Sequence, residues 1–450
     1  MNMHGLSNSE DIESLCPECF LIIPAHLKQT ATELLLSKSC PVHGAFETPV
    51  ATDLAAYRKI ADTPRQVKLP ARFGSSCGKG CPDDCGLCPT HDQHTCLAIL
   101  EVTSRCELGC PVCLASSYVS GEDISINQAR VALSSLISQE GRAPSLQLSG
   151  GEPSLHPQLS EIIATADSLG FTKIEIDTNG LRLAAETSFA ERLKEAGLTG
   201  VYLQMDSLQP DVCQRLRGKD LVDRKLKAIE NCQSADLQVV LSATVVPGLN
   251  DHLLWEMVLF GIERKITGIN FQSLTLSGRI QGSFLDYSRR FTQSHFGRSI
   301  EEQSGGTIKA ADLSPIPCPD PRCGALAYVL VRNGRPMPLG RIVEPQSLSG
   351  PTAALSDWGA LIRKLETRGR GCIAGCVPCD DDPSFALGEI LVESDFFSIG
   401  YHGMMDAYDF DLQRARCCCV HELTPAGRLI PFCLYNVKYR GDKLGRSSRW

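Results

Sequence analysis

Between Leu97 and about Leu276 the chain alternates short apolar runs with amphipathic stretches, a repeat that few folds accommodate. The runs Leu97–Thr103, Ser145–Ser149, Lys173–Asp177, Gly200–Asp206, Leu237–Val245 and Gly268–Leu274 have the length and composition of strands. Between them lie Asn127–Glu140, Pro157–Ser168, Phe189–Ala196, Leu221–Gln233 and Leu253–Lys265. Their apolar residues recur at helical intervals, as in Leu253, Met257, Val258 and Ile262. Six strand–helix units predict a parallel sheet with right-handed crossovers. In such a sheet, functional residues belong at the C-terminal strand ends. There the sequence places Asp177-Thr178-Asn179-Gly180, Gln204-Met205-Asp206-Ser207, the turn Val245–Asp251, and Gln272.

The loop after the first run carries Cys106, Cys110 and Cys113, spaced Cys-x3-Cys-x2-Cys. Three thiolates can hold three irons of a [4Fe–4S] cluster and leave the fourth open to a small molecule. A structural zinc site would close with a fourth ligand nearby, and none follows. At the next strand end stands Ser149-Gly150-Gly151-Glu152-Pro153. Its glycines let backbone approach a ligand closely, and Glu152 offers a carboxylate to a cationic amine. Taken alone, such a sequence is more often a turn.

Together these motifs resemble the radical S-adenosylmethionine (radical SAM) superfamily. The resemblance implies an α/β fold, the partial (βα)6 TIM-type barrel of that superfamily. It implies that SAM binds the open iron and that Gly150, Gly151 and Glu152 receive its amino group. It also carries SAM contacts onto Asn179, Gln204, Asp206 and Val245. The residue before the third cysteine, usually aromatic in the superfamily, is Val112 here.

The chain has 22 cysteines in 450 residues, and most are clustered. In a cytosolic chain clustered cysteines point to metal rather than disulfides. Cys16, Cys19, Cys40 and His43 form a CxxC…CxxH pair of knuckles, suited to one mononuclear zinc or iron. Cys81, Cys85, Cys88 and Cys96 make a four-thiolate set for an auxiliary [4Fe–4S] cluster or zinc. A C-terminal auxiliary cluster is expected from Cys318, Cys323, Cys433 and one of Cys418 or Cys419. Cys372, Cys376 and Cys379 repeat the triad spacing outside any strand–helix unit and mark a further metal. Cys213 and Cys232, in helical stretches, read as buried thiols.

A net charge of −8 argues against a nucleic-acid partner held by phosphate contacts. No apolar run approaches the ~20 residues needed to span a bilayer, and the polar N-terminus lacks the pattern of a signal peptide. A cytoplasmic protein is expected. The organisation read from the sequence is a knuckle domain (1–60), an auxiliary cysteine segment (61–96), the core barrel (97–290), a cysteine-rich auxiliary domain (291–440) and a disordered tail (441–450).

A closer resemblance rests on the knuckle pair, the Cys81–Cys96 segment, Gly278-Arg279-Ile280, Pro315 to Cys323, and His402 to Cys433. This layout is similar to the tetraether lipid synthase group, whose relatives include a methanopterin-type pterin methylase. It implies reductive cleavage of SAM to a 5′-deoxyadenosyl radical, hydrogen abstraction from an unactivated carbon, and carbon–carbon bond formation. The partners implied are a small-molecule or lipid substrate and a reductant such as ferredoxin or flavodoxin, with membrane-surface contact left open. The substrate is a lipid, a pterin or a peptide. Phe385–Leu391 and Phe396–Ile399 would line a lipid groove or form core strands. No side-chain acid or base is assigned, although His402 and Asp406 lie in a motif-bearing segment and invite mutation. A different class, a non-catalytic iron–sulfur redox or scaffold protein, would keep the clusters without binding SAM.

Overall fold

The structure, a computed structural model, describes residues 12–316, 318–332, 334–341 and 395–440. The Cys372, Cys376 and Cys379 set, Phe385–Leu391 and the tail 441–450 lie outside the described residues.

All six strands expected from the sequence form, as Leu97–Thr103, Ser145–Gly150, Ile174–Thr178, Gly200–Gln204, Gln238–Val245 and Gly268–Ser273. They pair in that order, each parallel to the next. The connecting helices follow the sequence signals closely. Helix Ile126–Glu140, for example, starts at Ser125, whose side chain caps Gln128 in a reciprocal capping box, and stops at Gly141 in the left-handed region.

Along each strand the side chains alternate in chemistry as they alternate in facing. Leu146, Leu148, Ile174, Ile176, Val201, Leu203, Leu241, Ile269 and Phe271 point outward and form one core with the helices. The residues between them, including Gln147, Ser149, Asp177, Tyr202, Gln204, Ser242, Asn270 and Gln272, line an internal cavity of about 970 Å³. Successive side chains on a strand face opposite ways, so the sheet curls with its polar face inward around a hollow lumen. That volume is at the upper end of the roughly 300–1,000 Å³ typical of ligand sites.

The C-terminal residues lend strands to both edges of this sheet. Phe396–His402 pairs in parallel with the sixth strand, and Val420–Leu423 pairs in parallel with the first. Six expected parallel strands thus become eight. Phe397 and Ile399 join the outer core, so Phe396–Ile399 is a core strand and not a lipid groove. Gly324–Arg332 and Leu429–Pro431 then pair antiparallel at the two margins. The sequence offered Phe396–Ile399 as a core strand but not its place beside the sixth barrel strand, because more than 120 residues separate the two.

At the N-terminus, Ile12–Leu15, Ile22–Gln29, Leu34–Cys40 and Gly44–Ala51 form an antiparallel meander. It is latched to the C-terminal segment by Lys38. This buried ammonium donates to the carbonyls of Leu15 (2.8 Å) and Ala407 (2.6 Å) and to Ser14 Oγ (3.1 Å).

Candidate active site

The cysteine triad sits at the C-terminal end of the first strand, and all three thiols line the mouth of the lumen. The loop holding them has little freedom. Gly109 takes a left-handed φ of 65°, and Cys106 N–H donates to the Tyr118 carbonyl at 2.7 Å. Val112–Cys113 pairs with Arg279–Ile280. The Arg279 guanidinium lies over the Tyr118 ring, 4.5 Å from its centroid. It donates to the carbonyls of Cys110 (2.8 Å) and Ser117 (2.9 Å). Gly278, just before it, comes so close to the loop that a Cβ would lie 2.4 Å from the Cys113 carbonyl oxygen. The Gly278-Arg279-Ile280 motif is therefore a clamp on the cluster loop.

A second buried arginine grips the same loop from the other side. Arg217 donates to the Val112 carbonyl at 3.1 Å and is held by Asp206 through two contacts of 2.7 Å. The remaining capacity of Asp206 is taken by Thr244 N–H at 2.9 Å and by the Gln204 amide. Asp206, expected to touch SAM, is saturated by protein donors and acts as a positioning residue for Arg217. Cys213 packs directly against the triad. Burial pushes the Cys106 thiol up to about 12, with Glu152 and Glu107 adding to the shift, and raises Cys110 in the same direction. Cys110 is buried and Cys106 and Cys113 are half-buried around a common pocket, and three thiols so placed fit a cluster that binds them as thiolates.

The glycines of the second strand end meet this loop edge-on. A Cβ at Gly150 would lie 2.1 Å from the Thr103 carbonyl, and one at Gly151 would lie 2.1 Å from that of Arg105. Both glycines line the lumen. Glu152 does not; its carboxylate is buried and accepts from Ser154 N–H (3.0 Å), Thr178 Oγ1 (2.6 Å) and Asn179 N–H (2.7 Å). It ties the second strand end to the third, which leaves backbone at Gly150 and Gly151 to face a ligand. Asn179 and Gln204 both line the lumen. Lys225 supports them from behind, donating to the Asn179 carbonyl and to Gln204 Oε1. Burial, with Arg217 nearby, lowers Lys225 to about 8. Val245 points the other way, into the outer core, because the strand alternation puts Thr244, not Val245, on the Asp206 side.

The outlying cysteines regroup. Cys16, Cys19, Cys40 and His43 come together with all four ligand atoms within 4.8 Å of one another. His43 Nδ1 lies 3.5 Å from the Cys16 and Cys40 sulfurs. Those spacings suit a tetrahedral ion with metal–sulfur bonds near 2.3 Å. Cys81, Cys85 and Cys88 stay together, each within electrostatic reach of the others. Cys96 leaves that set. Its N–H is bonded to the Cys419 carbonyl at 2.8 Å by the parallel pairing of the first strand, and its thiol meets those of Cys318 and Cys419. Cys418 and Cys433 lie near Cys323. These six, Cys96, Cys318, Cys323, Cys418, Cys419 and Cys433, all line the same lumen as the triad.

Sequence reasoning missed Arg217, Lys225, Tyr202 and Asn270. The signal for the lumen residues was present: runs such as Leu146-Gln147-Leu148-Ser149 and Ile174-Glu175-Ile176-Asp177 alternate apolar with polar. Of His402 and Asp406, only His402 lines the lumen. Asp406 is fully buried and pairs with Arg290 while accepting from Leu276 N–H at 2.7 Å. His421 faces His91 at 3.1 Å, away from the lumen.

Residues 100–261 match the model of the radical SAM superfamily. Residues 9–52 match an N-terminal zinc ribbon domain of the HMPTM type. The 7,8-dihydro-6-hydroxymethylpterin dimethyltransferase of Methanocaldococcus jannaschii is 31% identical over 95% of this chain and 94% of its own length. A probable GTP 3′,8-cyclase of Methanothermobacter marburgensis is 31% identical over only 38% of this chain and 56% of its own. Among solved structures, Streptococcus suis SuiB bound to S-adenosylmethionine is 17% identical, covering 47% of this chain and 48% of its own, with a TM-score of 0.39. The chain is a radical SAM iron–sulfur enzyme. Within that superfamily it belongs to the family of the pterin dimethyltransferase, which it matches end to end. The radical SAM family implies a [4Fe–4S] cluster and SAM, and the zinc ribbon match suggests zinc. No helix among the described residues is long and apolar enough to cross a membrane.

Proposed function

We propose that the protein methylates a dihydropterin at an unactivated carbon. The full-length relation to a pterin dimethyltransferase supports this reading. The observation that carries it is the lumen wall, where the amides of Gln147, Gln204 and Gln272 and the carboxylate of Asp177 stand beside apolar Ile99 and Val240. A flat polar heterocycle matches such a wall, and an alkyl chain would leave its buried polar groups unpaired at a cost. When bound, the cluster and SAM supply a 5′-deoxyadenosyl radical. The chain's own residues position the reactants and exclude water. Gly150 and Gly151 offer backbone to SAM, Asn179 and Gln204 face it from the next strand ends, and Arg217 and Arg279 keep the loop in register.

The six lumen-wall cysteines would hold auxiliary iron–sulfur, with Cys96, Cys318 and Cys419 joining elements from both edges of the sheet. Cys81, Cys85 and Cys88 would hold a further metal on the outside. A small-molecule substrate and a cytoplasmic reductant complete the scheme.

The test is anaerobic turnover of the reconstituted enzyme with SAM, a strong reductant and 7,8-dihydro-6-hydroxymethylpterin. Mass spectrometry should find the pterin heavier by one or two methyl groups. Formation of 5′-deoxyadenosine with the pterin recovered unchanged would count against the substrate assignment.

A further inference from the structure

One wall of the lumen carries polar groups that the SAM end does not use. Asp177 faces the cavity and receives a single hydrogen bond, from Ser149 Oγ at 3.3 Å. No arginine or lysine pairs with it among the described ion pairs. Its register partner on the next strand is Tyr202, whose hydroxyl accepts from the amides of Asn270 and Gln272. Asn270 Nδ2 also lies 3.1 Å from His402 Nδ1. That leaves the Asn270 carbonyl oxygen, in a side chain 97% buried (3% exposed), with no partner. It sits over Gly400, its neighbour in register, where a Cβ would come within 2.9 Å. A buried amide oxygen left unbonded at a cavity wall costs stability unless a ligand donates to it. With Nδ1 engaged by Asn270, His402 presents Nε2–H as a donor; burial lowers its pKa to about 4, so the ring is neutral near pH 7.

This donor and acceptor pattern suits the pyrimidine edge of a pterin. The 2-amino group and N3–H form two parallel donors, which a carboxylate accepts in bidentate fashion. The 4-oxo group, N1 and N5 are acceptors, and N8–H of the dihydro ring is a further donor that an amide oxygen can accept. We propose that Asp177 reads the 2-amino and N3–H edge of the substrate, with Asn270 and His402 fixing the rest of the ring and Gly400 keeping the space open. The assignment rests on the pterin reading above and names the residues that make the enzyme specific for it. These are specificity-determining contacts, separate from the SAM contacts at Gly150 and Gly151.

Anaerobic equilibrium dialysis on the reconstituted, SAM-loaded enzyme tests it. The probes are 7,8-dihydro-6-hydroxymethylpterin and its lumazine counterpart, in which oxygen replaces the 2-amino group. The wild type should bind the pterin roughly 10- to 100-fold more tightly, the range expected for a charge-assisted pair. Asp177→Asn, nearly isosteric, should erase that preference while leaving SAM affinity unchanged. Gly400→Ala should weaken pterin binding and spare SAM. If Asp177→Asn kept the preference, or lost SAM affinity instead, the subsite would be wrong while the pterin reading stood. If Gly400→Ala bound pterin as well as wild type, the Asn270 part would fall. If the wild type bound neither probe, substrate reading and subsite would fall together.

Discussion

The knuckle and the lumen wall both gather thiols, but they do so in opposite ways. In the knuckle, Cys16 and His43 are 27 residues apart in one small meander, and the four ligand atoms are already at metal-binding spacing. On the lumen wall, Cys96 and Cys419 directly precede the first strand and the strand bordering it, and Cys318 lies in the loop after Pro315. The first site needs only its own turns; the second exists only once the barrel has formed. A local metal site staples a small unit, whereas a non-local one joins the edges of the whole sheet. Losing metal should therefore unfold one meander in the first case and loosen the entire barrel in the second.

The largest effect is expected at the cluster loop, which Arg217 and Arg279 grip from two sides. Arg217→Met leaves Asp206 buried without its partner, and breaking such a pair costs about 3–5 kcal/mol. We expect a clear fall in thermal midpoint and reduced iron at the triad, read by calorimetry and iron analysis. An unchanged midpoint would show that the pair does not hold the loop.

Next in size is the regrouping of cysteines. Cys96→Ser should remove the same iron, and produce the same change in the electron paramagnetic resonance spectrum, as Cys318→Ser. Matching Cys88→Ser instead would restore the grouping expected from the sequence. Smaller still, Cys40→Ser should release one zinc and raise hydrogen exchange within 12–51 while the barrel strands stay protected. Exchange spreading into the barrel would end the claim that the knuckle is a separate staple.

The smallest effect belongs to Lys38, the latch between knuckle and C-terminal segment. Burial lowers its pKa from 10.5 to about 8. The folded state thus binds the Lys38 proton less tightly than the unfolded state does. Its destabilising contribution is full below pH 8 and fades as pH rises toward 10.5. Urea unfolding should show stability increasing across that window, and Lys38→Met should flatten the slope. Equal slopes in the two proteins would exclude Lys38 as its source.

The sequence made the barrel legible because each of its six strands is followed by an amphipathic helix, and period two and period 3.6 are easily separated. The triad and the knuckle were legible because their ligands lie close together in the chain. Two kinds of feature were not. Strands Phe396–His402 and Val420–Leu423 add to opposite edges of the sheet, a pairing that sequence separation conceals. Cys96 was misassigned because its nearest thiols in sequence are Cys81, Cys85 and Cys88, while backbone pairing with Cys419 decides where it points. Glu152 and Asp206 were read as ligand contacts from their motifs. Counting their protein donors turns both into supports for the residues that face the lumen.

The account stands most directly on one measurement, the yield of 5′-deoxyadenosine from SAM in the anaerobic, iron-loaded enzyme with and without 7,8-dihydro-6-hydroxymethylpterin. The predicted result is release that rises with the pterin and vanishes when Cys106, Cys110 and Cys113 are all alanine, although that variant keeps its knuckle zinc. Equal release from wild type and variant, or none from a fully loaded wild type that has bound both SAM and pterin, would contradict it.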